Sequence, residues 1–198
     1  VFGSPNTASA RLLAANSNNR IRFVPSADFN GSVSAGLTFH AWDTTNGADG
    51  GTRDTSTNGT TTEFSTATET ASIVVNAIND APVLDDSGTP VLTGIDENAS
   101  DPAGDLVSTL FGGLITDVDT GASKGIAVTG LSSVNGTWEY SVDGGTAWTS
   151  MGSPSATSAL LLSADANTRI RFKPDTQNGG TSSLSFQAWD LTNLKPFL

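Results

Sequence analysis

Four aspartates in this chain have the type and spacing to meet around one hard cation. Asp117-Val-Asp119 sets two short carboxylates on one polar loop. Such a pair converges with little loss of side-chain entropy. Asp190 ends an apolar strand pattern, and Asp80 lies in a short polar segment beside Asn79. Calcium takes six to eight oxygens from carboxylates, amide and backbone carbonyls and water, so these groups, with Asp28 from the preceding segment, suit a calcium shell. Carboxylates crowded in this way repel unless a cation neutralises them. The competing reading of each one is local: Asp and Asn favour turns because they bond their own backbone.

Other chemistry has less to work with. There is no cysteine, and His40 is the one histidine. It sits in the alternation Leu37-Thr-Phe-His-Ala-Trp42 on the face opposite Leu37, Phe39 and Ala41, and Gln187 replaces it in a second copy of that stretch. A satisfied surface or groove histidine is the expected role. No Gly-x-Ser-x-Gly elbow or phosphate-cradling loop occurs. Paired carboxylates also serve glycosidases, but here they recur with a repeat, as structural elements do. No catalytic residue is assigned and no enzyme is expected.

A long internal repeat must position these groups. Phe2-Gly-Ser-Pro returns as Met151-Gly-Ser-Pro154, and Arg20-Ile-Arg-Phe23 returns as Arg169-Ile-Arg-Phe172, a period of 149 residues. Leu37-Thr-Phe-His-Ala-Trp-Asp43 returns as Leu184-Ser-Phe-Gln-Ala-Trp-Asp190 after a two-residue deletion. A period of this length repeats a whole domain. The first copy lacks its beginning and the second lacks its end. The expectation is a window on a tandem array, or a subunit completed by a neighbour.

Composition points to an extracellular β-protein. Gly, Ser, Thr, Asn and Asp dominate, and 36% of residues are hydrophobic, which suits thin sandwiches. Nine basic against twenty acidic residues give −11, which argues against nucleic acid and anionic lipid and favours cations. No apolar run approaches the ~18 residues of a membrane span, so no membrane insertion is expected. The chain begins at Val1 with neither Met nor a signal peptide, so targeting information is expected to lie outside it or to have been removed.

Period-two alternation predicts strands at 20–23, 37–42, 73–75, 91–93, 106–110, 126–129, 137–142, 147–150, 160–162, 169–173 and 184–189. The Gly/Thr/Asp-rich stretch 44–62 predicts a long loop, mobile or ordered by metal. In both copies of the Arg-x-Arg segment, the arginines alternate with apolar residues and are expected on the outer face, solvated or paired with Asp. Trp42 and Trp189 read as core plugs at strand ends. Trp138 and Trp148 flank Ser141-Val-Asp-Gly-Gly-Thr146, a predicted hairpin turn. That stretch resembles the Asp-box of sialidases, which is a structural hairpin remote from catalysis. Val75-Asn-Ala-Ile-Asn-Asp80-Ala-Pro82 reads as a stiff linker, because proline fixes φ and extends the residue before it.

At that linker the chain resembles the cadherin-like tandem repeats of giant bacterial adhesins. Asn79-Asp80-Ala-Pro82 is similar to the family's linker. Glu97-Asn98 follows at the family's glutamate position, Asp117-Val-Asp119-Thr-Gly121 resembles its paired-aspartate motif, and Ala41-Trp-Asp43 and Ala188-Trp-Asp190 resemble its Ala-x-Asp strand end. Asp28 and Asp175 each precede that strand-end aspartate by fifteen residues, where the family has another acidic ligand. The departures are a single carboxylate around Asp28, Asn76 in place of an acid, and a longer segment between Asp119 and Ser158. The resemblance implies an all-β, immunoglobulin- or cadherin-like Greek-key sandwich. Residues 1–79 are then the late part of a first repeat with its linker, and 80–198 a second repeat lacking its last strand. It implies calcium at the junction held by Asp28, Asn79, Asp80, Asp117, Asp119 and Asp190. Glu97 and Asp175 would serve the far end of the second repeat, and Asp43 the near end of the first.

Three functions follow as expectations. One is a calcium-stiffened structural repeat of an adhesin or fibre on a bacterial cell surface, with neighbouring repeats as partners. Another is a filament of identical subunits joined head-to-tail, in which the strand bearing Ala71, Ile73 and Val75 completes the next copy. A third is a carbohydrate-binding module that meets a cell-surface glycan through Trp138 or Trp148. The tail after Asn193 leaves the repeat pattern, which leans towards the filament.

Overall fold

Identical residues take different structures in the two copies of the repeat, and the difference follows from what lies beside them. This computed structural model describes residues 2–192. The expectation about the tail beyond Asn193 lies outside those residues. The chain divides into one unit ending at Ile78 and a second starting at Asn79.

In the first unit, strands β1 (Ala10–Arg11), β2 (Gly31–Trp42), β3 (Thr52–Arg53) and β4 (Phe64–Val75) form two antiparallel pairs. β1 pairs with β3, and β2 pairs with β4. Leu12 and Phe64 are buried there, but Ile21, Phe23, Val24, Phe29, Phe39 and Val74 are exposed. Ala71, Ile73 and Val75 lie in the β2–β4 ladder, opposite Leu37, Val33 and Gly31 of the same chain. The predicted strand at 20–23 is coil with no ladder partner among the described residues. The 44–62 stretch contains β3 and is tied down by protein groups. Arg53 pairs with Glu63 at 2.6 Å, Asp49 accepts from Ala14 and Asn19, and buried Thr55 donates to the Thr7 carbonyl.

The second unit holds β5 (Val83–Leu84), β6 (Asp105–Leu106), α1 (Val107–Phe111), β7 (Ile115–Thr116), β8 (Gly125–Ser132), β9 (Gly136–Ser141), β10 (Thr149–Ser150), β11 (Leu160–Ser163), β12 (Arg169–Pro174) and β13 (Ser183–Trp189). One sheet runs β10-β9-β12-β6, another β11-β8-β13, and β5 pairs with β7. Ile126 and Val128 of β8, Leu162 of β11, Trp138 of β9 and Ile170 of β12 join Val107, Phe111, Ile115 and Met151 in one buried cluster. Core residues thus come from both larger sheets, as in a two-layer β architecture. The class is all-β.

Two further strand predictions fail because other contacts win. Residues 106–110 alternate, but Val107 and Phe111 also fall four apart, and both are fully buried on one face of a helical turn. Packing selects the helical period over the strand period. Gly112 closes the turn, donating to the Ser108 carbonyl. Residues 91–93 form no ladder, because Thr93 gives its N–H and hydroxyl to the Asp105 carboxylate instead.

The turn between β11 and β12 is built on Asp165. Desolvation pushes its carboxyl upward, but bonds from Ser163 Oγ, Asn167 N and Thr168 N bring it from 3.8 down to about 2. A depressed carboxyl contributes stability above its unfolded value, lost as pH falls from 3.8 towards 2. Asp165 is solvent-exposed, so screening reduces the contribution to about 1 kcal/mol. Asp165→Asn should therefore lower stability at neutral pH and lose its deficit near pH 2. Urea unfolding at both pH values checks this, and an equal deficit at both would refute it.

Candidate functional site

The linker, the loop after β7 and the end of β13 are joined by a string of hydrogen bonds within the second unit. Asn79 Nδ2 donates to Asp190 Oδ2 at 2.7 Å and to its neighbour's carbonyl, Asp80 O, at 2.9 Å. Asp80 N–H donates to Asp119 Oδ2 at 2.8 Å. Asp119 N–H donates to Asp117 Oδ1 at 2.8 Å. Asn79, Asp80, Asp117, Asp119 and Asp190 therefore belong to one network.

Each part has a local cause. Asp190 directly follows β13, where its Oδ1 accepts the N–H and hydroxyl of Thr192, and the Trp189 indole N–H donates to the Thr192 carbonyl. The Thr192 hydroxyl first, and then Asn79, hold the Asp190 carboxyl below the usual carboxylate range. The first copy repeats the device: Asp43 Oδ1 accepts from Thr45 N and Oγ1 at 2.9 and 2.6 Å, which lowers its carboxyl too. Asp-x-Thr was visible in both copies of the sequence, and it marks a turn in which the hydroxyl and N–H fix the carboxylate. The sequence reading did not use it.

Asp117 carries the unusual atom. Its Oδ1 is used by Asp119, while its Oδ2 is buried and has no hydrogen-bond partner. A buried acceptor left unpaired costs about 1–3 kcal/mol, more when charged. Among the described residues, however, no three Asp, Glu, His or Cys side chains converge as a metal-holding group. The donor set is thus of calcium type, with one carboxylate oxygen lacking a partner, but it is arranged as a hydrogen-bonded string and not as a closed cage.

The remaining acidic candidates are not among the hydrogen-bonded members of that network. Asp28 belongs to the first unit and adopts a left-handed backbone, φ 61°. Asp175 follows β12 and accepts from Gln177 N and Asn178 N. Glu97 Oε2 lies 3.9 Å from the place a Cβ on Gly179 would occupy, so Glu97 and the loop after Asp175 are neighbours.

A second polar network was not foreseen. Arg171, expected on the solvated face, is buried at 5% exposure. Its Nε donates to Glu139 at 2.7 Å, and its Nη1 donates to Asp101 at 2.6 Å and the Pro102 carbonyl at 2.9 Å. The guanidinium lies 4.0 Å from the centre of the Trp148 ring. Pairing with an aspartate is thus as expected, but exposure is not. β12 lies between β9 and β6, and what covers its outer face comes from residues 101–104 and Trp148. Gly104 permits that approach: its φ is +66°, and a Cβ there would meet the Ile170 carbonyl at 2.7 Å.

Trp138 is a core residue, edge-on to Phe172 at 5.3 Å, with its indole N–H bonded to the Ser132 carbonyl. The Ser141–Trp148 hairpin satisfies its own polar groups. Ser141 Oγ donates to Asp143 Oδ1 and accepts from Gly145 N, while Asp143 accepts from Thr146 N and Ala147 N. In the first unit His40 is half-buried, and its Nδ1–H donates to the Ser65 carbonyl at 2.6 Å.

Comparison of the chain with protein-family models, curated proteins and solved structures returned no match. Among the described residues, no helix is long and apolar enough to cross a membrane.

Proposed function

We propose that the chain is a structural repeat of an extracellular, bacterial cell-surface adhesin or fibre, with immunoglobulin- or cadherin-like Greek-key units stiffened by calcium at the linker. The observation that carries this reading is Asp117 Oδ2, a buried and unpartnered oxygen in a network that contains both linker residues Asn79 and Asp80. A bound calcium would supply charge neutralisation and six to eight oxygen contacts. Asp117, Asp119, Asp80 and Asp190 would hold it, with Asn79 tying the linker to the end of β13. The repeat itself supports a mechanical role, since each copy brings the same strand-end Asp-x-Thr turn.

Calcium titration of the full chain tests this. Extracellular modules bind at roughly 10⁻⁴–10⁻³ M, so millimolar calcium should release heat and raise the melting temperature of the second unit. A chelator should reverse this and increase proteolysis at residues 76–82. Asp117→Asn and Asp119→Asn should each weaken binding by about tenfold, from the loss of a ligand charge. Asp143→Asn, in the self-satisfied hairpin, should leave calcium affinity unchanged. Absence of heat and of any thermal shift, or equal affinities in all three variants, would overturn the calcium reading.

A further inference from the structure

Residues 93–104 form neither strand nor helix, and their last part lies on the outer face of β12. A Cβ on Gly104 would meet Arg171 Cβ at 3.1 Å and the Trp148 ring at 2.6 Å, so the segment runs directly on the strand. Few bonds hold it there. Thr93 donates twice to Asp105, the first residue of β6. Arg169 Nη1 donates to the Gly104 carbonyl at 3.0 Å. Arg171 Nη1 donates both to Asp101 Oδ1 at 2.6 Å and to the Pro102 carbonyl at 2.9 Å. One guanidinium nitrogen therefore grips the residues on both sides of a single peptide bond.

That bond is the one Asp-Pro in the chain. Proline has no N–H, so its nitrogen cannot close on the preceding carboxyl to form a cyclic imide. The carboxyl is left free to attack the backbone. One Asp101 carboxyl oxygen bonds to the carbonyl carbon of its own residue. The carbon–nitrogen bond to Pro102 breaks, its electron pair stays on nitrogen, and the carboxyl proton ends there. The products are a cyclic anhydride on Asp101 and a free proline amine. Water then opens the anhydride to two carboxyl groups, and no other reactant is needed.

The fold sets the two halves of the bond in different surroundings. The Asp101 side chain is 83% exposed, open to water and protons. Pro102 is buried. A released proline amine is charged, and burying a charge without a partner is costly. The bond is therefore silent while the segment lies on β12.

We infer that Asp101–Pro102 is an acid-triggered self-cleavage site latched by Arg171. As a carboxylate, Asp101 is tied to the guanidinium and lacks the proton that the leaving nitrogen takes up. Protonation removes the charge-assisted bond and supplies that proton, so one carboxyl both frees the segment and cuts it. The charged groups around this carboxyl are Arg171 of β12 and, across Arg171, Glu139 of β9. Asp105 fastens the same segment through Thr93, and Asp96 and Glu97 are exposed on it. Cleavage leaves the linker side of the second unit joined to the rest by the β5–β7 ladder and by Leu84 and Leu92, which pack against the core. A covalent connection becomes a non-covalent one. The inference is independent of calcium and of the repeat.

The full chain is held in dilute formic acid, at an acidity where hydrogen exchange shows β9 and β12 still protected, and its mass is followed with time. Expected products are pieces 1–101 and 102–198, whose masses sum to that of the chain plus one water, and which co-elute until urea is added. Urea should speed the cut by lifting the segment from β12. Asp101→Glu keeps a carboxylate for Arg171 but needs a larger ring, and should be cut at least about tenfold more slowly. Arg171→Ala should be cut at least about threefold faster than Ile170→Ala, which also destabilises the second unit but leaves the latch in place. The inference is overturned by no cleavage while β9 and β12 stay protected, or by a rate that urea does not change. Equal rates for Asp101→Glu and the unaltered chain, or for Arg171→Ala and Ile170→Ala, overturn it as well.

Discussion

Ile170→Ala is expected to destabilise the second unit by about 2–5 kcal/mol, while Ile21→Ala, the same change at the same place in the repeat, should shift the first unit by no more than about 0.5 kcal/mol. Ile170 is fully enclosed, so truncation removes transfer energy and leaves a cavity. Ile21 is more than half exposed, so water already reaches much of what truncation removes. Two units need not unfold together, so one melting curve does not separate them. Hydrogen exchange at β9 and β12 amides reports the second unit, and exchange at β2 and β4 amides the first. Equal losses in both units would mean that Ile21 is buried in solution.

Arg171→Ala should destabilise the second unit by about 3–5 kcal/mol, because it leaves Glu139 without its partner in a mostly buried site. The side chain of Arg171 is 6% exposed and that of Glu139 is 18%, whereas Asp101 is 83% exposed. The Glu139 arm therefore carries most of the effect, and Asp101→Ala should cost less than about 1 kcal/mol, as for a surface pair. Arg171→Lys should recover only part of the loss, since a lysine neither forks between Glu139 and Pro102 nor stacks on Trp148 in the same way. Arg22→Ala, at the exposed counterpart, should be nearly neutral. Hydrogen exchange at β9 and β12 amides for the Arg171 and Asp101 variants, and at β2 and β4 amides for Arg22→Ala, measures this. A neutral Arg171→Ala would show that the buried network contributes no net stability.

Much of the strand framework was legible because alternation survives in any context with one covered face. Leu37–Trp42, Ile73–Val75, Ile126–Thr129 and Leu184–Trp189 all lie within strands. The acidic residues of the linker network were legible from their chemical type and their place at strand ends and turns. Their connection was not. A sequence does not state that Asn79 reaches Asp190, 111 residues away, or that one oxygen of Asp117 is left without a partner.

The chain by itself determined the repeat, the β class, the acidic loops and the local turns held by Asp-x-Thr. Those features depend on residues within a few positions of one another, or on a pattern copied along the chain. The tertiary structure decided the rest. Arg-Ile-Arg-Phe is a buried strand at 169–172, where β9 and β6 flank it, and exposed coil at 20–23, where no such neighbours lie. Val107–Phe111 alternates like a strand and folds as a helical turn because two of its side chains fill one core. Strand hydrogen bonds and apolar burial need a partner surface, and the same residues are fixed or free according to whether that surface is present.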